Sequence, residues 1–331
     1  MARIGPRIAG LGVFLPERRL SSSELDARIG QAEGWIEANF RIRERRVASP
    51  EETSSRMGAQ AARRALAAAG LAPADLDVLV GACGVMEQPI PGTAVLIQHE
   101  LGLGASGMPA FDVNATCLSF LTALDVVAMG VRAGRWRRAL IVSADIASAG
   151  LDFSDPQGSV IFGDGAAAAV ITADETGSDL LAYRLETYSE GRDLCVLEAG
   201  GTRVRPETDM EAFLKATRFR MDGPGVFRAA GRRVPAFVDR VLAEAGVSRD
   251  EIALVVPHQA SAHALDVLPR LVGFDRDRFV DILADHGNQI AASLPTALAR
   301  AVEAGRLKRG DLVLLLGTAA GLSLGAAVVR Y

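Results

Sequence analysis

Cysteine is scarce: only Cys83, Cys117 and Cys195 occur in 331 residues. An odd, sparse set excludes a disulfide framework and points to a reducing, cytoplasmic setting. No stretch of about 18 uncharged apolar residues is present, so no membrane-spanning helix is expected. The opening Met1-Ala2-Arg3-Ile4-Gly5-Pro6 has no apolar core of the kind a secretory leader carries. Positive charge is not in excess either. Lys plus Arg number 36 against 40 Asp plus Glu, which argues against a dedicated nucleic-acid binder. No CxxC or HExxH spacing suggests zinc, so no metal is expected. GxGxxG and Walker patterns are missing, and Gly158-Ser159-Val160 is not a nucleophile elbow.

What is present is an ordinary globular balance, 49% hydrophobic and 23% charged, in a chain long enough for a substantial core. Apolar runs alternate with Ala-rich stretches. The pattern predicts strands at Pro6–Phe14, Asp77–Cys83, Ala139–Ala144 and Ser159–Thr172, then at Ile252–Val256, Phe279–Asp281, Asp311–Leu316 and Gly321–Arg330. Helices are predicted at Ser22–Ile29, Ser54–Ala69, Thr93–Leu101, Cys117–Ala133, Val226–Ala245, Ala262–Val272 and Ser293–Ala304. Alternation of this kind favours an α/β sheet covered on both faces. A weak internal echo runs through it. Ala139–Ala144 followed by Val160–Thr172 resembles Leu312–Leu316 followed by Leu322–Arg330, as two like halves meeting near Ala173–Asp179 would.

Two kinds of side chain could carry chemistry. Cys117, in Phe111-Asp112-Val113-Asn114-Ala115-Thr116-Cys117, stands where a strand-like run gives way to an apolar helix. A thiol at a helix start faces unpaired N–H groups, which favour the nucleophilic thiolate. A small buried residue is the plainer reading. His258 follows the Ile252–Val256 run, and the end of a parallel strand is where open α/β sheets bind ligands. His286-Gly287-Asn288 offers an amide donor, or simply a turn Asn. His99 and His263 read as surface residues on helices. Phe162-Gly163-Asp164-Gly165-Ala166 reads as a tight bend in a buried strand.

Taken together, these segments resemble the thiolase-fold condensing enzymes, and most of all the β-ketoacyl-[acyl-carrier-protein] synthase III family. The segments are Ile8–Pro16, Ala110–Cys117, Phe162–Val170, Pro257–Ala260 and His286–Asn288, in order along the whole chain. The resemblance implies a thiolase-like fold of two similar α/β halves in five α-β-α-β-α layers. Residues 1–173 would form the half with the cysteine and residues 174–331 the half with the histidine and asparagine. It also implies a homodimer. Cys117 would take an acyl group from an acyl-CoA. His258 and Asn288 would meet the charge that develops when malonyl-acyl-carrier-protein loses CO2. The backbone N–H groups of Cys117 and Ala320 would form a second oxyanion site, with Ala319-Ala320 standing where the family usually has glycines. No cofactor is implied beyond these thioester substrates.

The resemblance extends to substrate positions. Trp35 matches the aromatic residue on which the CoA adenine stacks, while Asn39 and Ala149 replace the usual arginines around that base. Arg228, Arg232, Arg233 and Arg270 fall on helices like those that dock the acidic carrier protein, and His263 replaces an arginine there. Glu87–Thr93 looks like the loop that enters the partner's acyl pocket. Ile90 stands in place of a bulky aromatic, which predicts a primer longer than acetyl. In head-to-head condensing relatives a Glu in this loop is a base; Ile90 argues against that activity, although Glu87 is close by. A specialised ketosynthase or acyltransferase using the same three residues is the alternative. A non-catalytic partner subunit fits less well with an intact Cys–His–Asn set. A non-decarboxylating thiolase would be expected to need a second cysteine near the C-terminus, and none follows Cys195.

Overall fold

Gly10 and Gly12 let the Ser54–Ala69 helix lie directly on the Gly5–Phe14 strand. A Cβ at either position would fall within 2.3 Å of a helix carbonyl, that of Ala65 or of Ala61. The Thr53 hydroxyl caps this helix by accepting from Arg56 N–H at 3.4 Å, and Gly70 ends it in the left-handed region at φ +67°. The computed structural model describes residues 4–331. Met1, Ala2 and Arg3, on which the expectation about a leader partly falls, lie outside the described residues.

Two sheets organise the chain. The first runs Gly5–Phe14, Gly165–Asp174, Arg138–Asp145, Val78–Gly81, Ala110–Asp112, with the first two pairings antiparallel and the last two parallel. The second runs Asp179–Thr187, Ser323–Arg330, Leu312–Ala319, Ile252–Pro257, and repeats the same senses: antiparallel, antiparallel, parallel. Phe279 makes a parallel bridge to Val255 where a fifth strand would stand. The sequence echo thus becomes the antiparallel pair next to the edge strand in each sheet.

The helices Ser119–Arg132 and Ser293–Glu303 each touch both sheets and form the layer between them. Ser54–Ala69 covers the outer face of the first sheet, and Val234–Ala245 with Ala262–Val272 covers the second. The result is five layers, α-β-α-β-α. The largest apolar cluster fills the middle, with Phe120, Leu124 and Val127 against Leu294, Leu298, Val313 and Leu315. No helix among the described residues is long and apolar enough to cross a membrane, and no group of three or more His, Cys, Asp or Glu among them could hold a metal ion.

Several boundaries differ from the sequence expectation. The Ser159–Thr172 strand starts later, at Gly165, because Pro156–Ser159 is a helical turn and Asp164 is buried accepting hydrogen bonds from Ala48 N–H and from Ser148 N–H and hydroxyl. Val226–Ala245 is two helices, Gly223–Gly231 and Val234–Ala245, since Pro235 fits only the first turn of a new helix. Phe279–Asp281 is a single bridge. The Asp179–Thr187 edge strand went unpredicted, its alternating half-polar face masking it.

Candidate active site

Cys117 lies in a 3-10 turn, Thr116–Leu118, and the α-helix proper begins at Ser119. The turn is built by its flanking side chains. Asn114 Oδ1 accepts from Thr116 N–H at 2.8 Å, and Ser119 Oγ accepts from Ala115 N–H at 3.0 Å. Thr116 takes φ +52°, an uncommon angle for a β-branched residue. The backbone N–H groups of Cys117 itself and of Ala320 lie close enough to the sulfur to favour its charged form. Ala320 follows the Leu312–Ala319 strand of the second sheet, so the two halves meet at this atom.

The helix start does not deliver a resting thiolate, as the sequence position suggested. Burial pushes the Cys117 thiol up to about 12, and the Asp145 and Cys195 charges push it in the same direction; the two N–H groups oppose them without prevailing. The resting group is therefore a thiol.

His258 is 6% exposed and follows the Ile252–Pro257 strand, its N–H bonded to Leu316 O at 2.8 Å. Burial lowers its imidazole to about 4, so it is neutral at neutral pH. Its Nδ1 has no hydrogen-bond partner among the described residues. Gly317 fits between His258 and the cysteine turn: a Cβ there would lie 3.0 Å from His258 Cβ and 3.0 Å from Leu118 Cδ2. Asn288 is also 6% exposed. Its Oδ1 accepts from Ile290 N–H at 2.9 Å, and its Nδ2 points to Ala260 O at 3.4 Å, two residues beyond His258. That long contact leaves the amide able to donate elsewhere.

The Phe162–Ala166 segment is a brace and not a bend within a strand. Gly163 N–H donates to Asn288 O at 3.1 Å, and Asn288 N–H to Ile161 O at 2.7 Å. A Cβ on Gly163 would fall 2.2 Å from His286 O, so only glycine allows this approach. The sequence also gave no notice of Asp145, which has no exposed surface and lies close enough to act on both Cys83 and Cys117. The available signal was its position, one residue past the predicted Ala139–Ala144 strand.

The remaining sequence candidates lie outside this cluster. Trp35 begins the Trp35–Phe40 helix, half-buried, with its ring 5.6 Å from that of Phe40. Ile90 is 86% exposed and does not join the cluster within one chain. Arg228, Arg232 and Arg270 are exposed. The helices bearing Arg228 and Arg270 meet where the Phe227 and His263 rings lie 4.6 Å apart. Arg233 is committed to an ion pair with Glu190 at 2.5 Å. His99 and His263 are exposed, as expected.

Known proteins share this architecture over the whole chain. Residues 111–189 match the 3-oxoacyl-[acyl-carrier-protein (ACP)] synthase III family, and residues 242–331 match the family describing its C terminal part. The β-ketoacyl-[acyl-carrier-protein] synthase III of Sphingopyxis alaskensis is 39% identical, over 98% of this chain and 98% of its own. The crystal structure of the Aquifex aeolicus 3-oxoacyl-[acyl-carrier-protein] synthase III superposes with a TM-score of 0.89 at 34% identity, covering 99% of this chain and all of that one. The priming β-ketosynthase of the R1128 polyketide pathway gives a TM-score of 0.89 at 31% identity, covering 99% and 96%. With its thiolase-like fold, this chain belongs to the β-ketoacyl-[acyl-carrier-protein] synthase III family.

Proposed function

We propose that this acyltransferase primes chain synthesis by a decarboxylating condensation through an acyl-Cys117 intermediate. The observation that carries the reading is the position of the Cys117 turn, with two backbone N–H groups close to the sulfur and packed near two other segments, one bearing a neutral imidazole and one an amide held only by a 3.4 Å contact. The Cys117 thiol attacks the acyl-CoA carbonyl. The tetrahedral oxyanion faces the N–H groups of Cys117 and Ala320; CoA leaves with the thiol's proton, and a thioester remains. Malonyl-acyl-carrier-protein then loses CO2. The enolate oxygen takes hydrogen bonds from His258 and Asn288, and neutral His258 suffices for that. The enolate carbon attacks the acyl-Cys117 carbonyl, and the Cys117 thiolate leaves and is reprotonated. No cofactor enters these steps.

Substrate positions follow from the same reading. Trp35 stacks on the CoA base. Arg228, Arg232 and Arg270 receive the acidic carrier protein. The exposed Ile90 enters the acyl pocket of a second copy in a homodimer and, being smaller than an aromatic, admits primers longer than acetyl. The halves are residues 1–173 and 174–331, and the protein works in the cytoplasm. The relation to a polyketide priming ketosynthase supports a second reading, a specialised pathway using the same three residues.

The test is product analysis by mass spectrometry with acyl-CoA primers of rising length and with malonyl on carrier protein or on CoA. Acyl label on Cys117 and a β-ketoacyl product are expected. Absence of label on Cys117 sinks the mechanism, and activity confined to acetyl-CoA sinks the Ile90 assignment.

A further inference from the structure

Asp145 is a fully buried carboxyl that the reaction above does not use. It ends the Arg138–Asp145 strand. Its Oδ1 accepts from Gly84 N–H and Val85 N–H, both at 2.8 Å, and its Oδ2 from Ala292 N–H at 3.1 Å. Ala291 N–H, the fourth group, acts on the carboxyl in the same sense. Burial pushes the carboxyl up to about 7 while these four donors hold it down.

The four donors belong to two turns from opposite halves. Gly84 and Val85 follow the Val78–Gly81 strand; Ala291 and Ala292 belong to the turn that Asn288 opens. Gly84 is wedged against both functional turns, since a Cβ there would lie 2.4 Å from Ile290 Cγ2 and 3.3 Å from Thr116 O. On the cysteine side, the Ser119 hydroxyl reaches Cys83 O at 3.1 Å and Thr116 O at 2.7 Å. A continuous hydrogen-bonded path therefore runs from the Cys117 turn through Cys83–Val85 and Asp145 to the Asn288 turn.

We propose that Asp145 is a positioning residue, whose carboxylate locks the turn carrying Cys117 to the turn carrying Asn288 for condensation. Its negative charge acts on Cys117 in the same direction as burial, which is the larger cause, and so adds to the disfavouring of the thiolate. Both statements rest on the functional reading above. The titratable groups acting on Cys117 are Asp145 and Cys195, and those acting on Cys83 are Asp145 and Asp112. Of these, Asp145 is the one tied to both turns.

The test uses the full chain with Asp145→Asn and Asp145→Glu. The pH profile of Cys117 alkylation by iodoacetamide is read first, because it does not depend on the functional reading. Asp145→Asn moves the midpoint down by about one pH unit or more, a roughly tenfold change in thiolate population. Asp145→Glu keeps the charge and the wild-type midpoint. For condensation, kcat falls at least about tenfold in both variants, while KM for acyl-CoA stays within about threefold. An unchanged midpoint in Asp145→Asn overturns the charge role, and an unchanged kcat overturns the positioning role. If the variants do not fold, wild-type protein decides: a midpoint at or below the ordinary thiol value of about 8.5 overturns the proposal. Wild-type protein that alkylates as expected but never acylates Cys117 would instead fail the functional reading.

Discussion

The two halves build one turn twice and load it differently. Asn114-Ala115-Thr116-Cys117-Leu118-Ser119 and Asn288-Gln289-Ile290-Ala291-Ala292-Ser293 occupy matching places, each before the helix of its half that forms the middle layer. In both, the Asn Oδ1 accepts from the N–H two residues on, at 2.8 and 2.9 Å. In both, that residue takes φ +52° and the closing Ser hydroxyl accepts an N–H, at 3.0 and 2.9 Å. The fourth position of the turn holds Cys117 in the first half and Ala291 in the second, where Asp145 accepts from the neighbouring Ala292 N–H instead. Asn114 is exposed and Asn288 buried. The repeated backbone supplies geometry; one side chain and one difference in burial assign the chemistry.

The most severe way to break this comparison is to move the sulfur. Cys117→Ala should lower acyl transfer at least about 10³-fold, and Cys117→Ala with Ala291→Cys should not restore it. Acyl label at position 291 in a mass-spectrometric digest would show the turns to be interchangeable. Next come the asparagines. Asn288→Ala should cost roughly 10²–10³-fold in malonyl decarboxylation and far less in self-acylation, as the loss of an oxyanion donor does. Asn114→Ala loses only its turn hydrogen bond and should affect both half-reactions alike, by about tenfold or less. Equal losses in both half-reactions for Asn288→Ala would remove the distinction.

The buried titrating groups of the halves carry opposite pH signatures. His258 protonates near 4 when folded, against about 6.5 unfolded. Its contribution to stability is therefore present above 6.5 and lost as pH falls towards 4. Asp145, raised to about 7, acts in the opposite sense, gaining stability as pH falls from 7 towards the ordinary carboxylate range. Urea unfolding from pH 6.5 to 5 should therefore find His258→Ala less acid-sensitive than wild type by about 2 kcal/mol. An identical pH slope in the two proteins would mean that the His258 site is wet.

Smaller effects test the turns themselves. Ser119→Ala and Ser293→Ala should each lower Tm by roughly 2–5 °C. Ser119 should be the larger, because its hydroxyl also reaches Cys83 O and Thr116 O; the reverse order would mean that the turns are held differently. The mildest change is at the surface of the second half. Arg270→Glu should raise KM for malonyl-acyl-carrier-protein at low salt and lose that effect at high salt. A KM equal to wild type at low salt would remove the docking assignment.

Much of this was written in short-range pattern. The Ser54–Ala69 and Ala262–Val272 helices fall where periodicity puts them, because caps such as Thr53, Gly70, Ser261 and Gly273 act within one turn of the chain. Cys117 and His258 were readable because each follows an apolar strand-like run, and Asn288 because it follows Gly287 at a turn. The Asp179–Thr187 strand was not, since its half-polar, partly exposed face leaves no apolar run to mark it.

By itself the sequence determined which residues could react and which strands and helices carry them, since propensity and capping are local. Only the tertiary structure decided their charge states and their company. Desolvation by distant segments turned an expected Cys117 thiolate into a thiol and held His258 neutral. The convergence of the 84–85, 145 and 291–292 backbone on one carboxylate has no signature in any single stretch of chain, because burial and long-range hydrogen bonding belong to the folded whole.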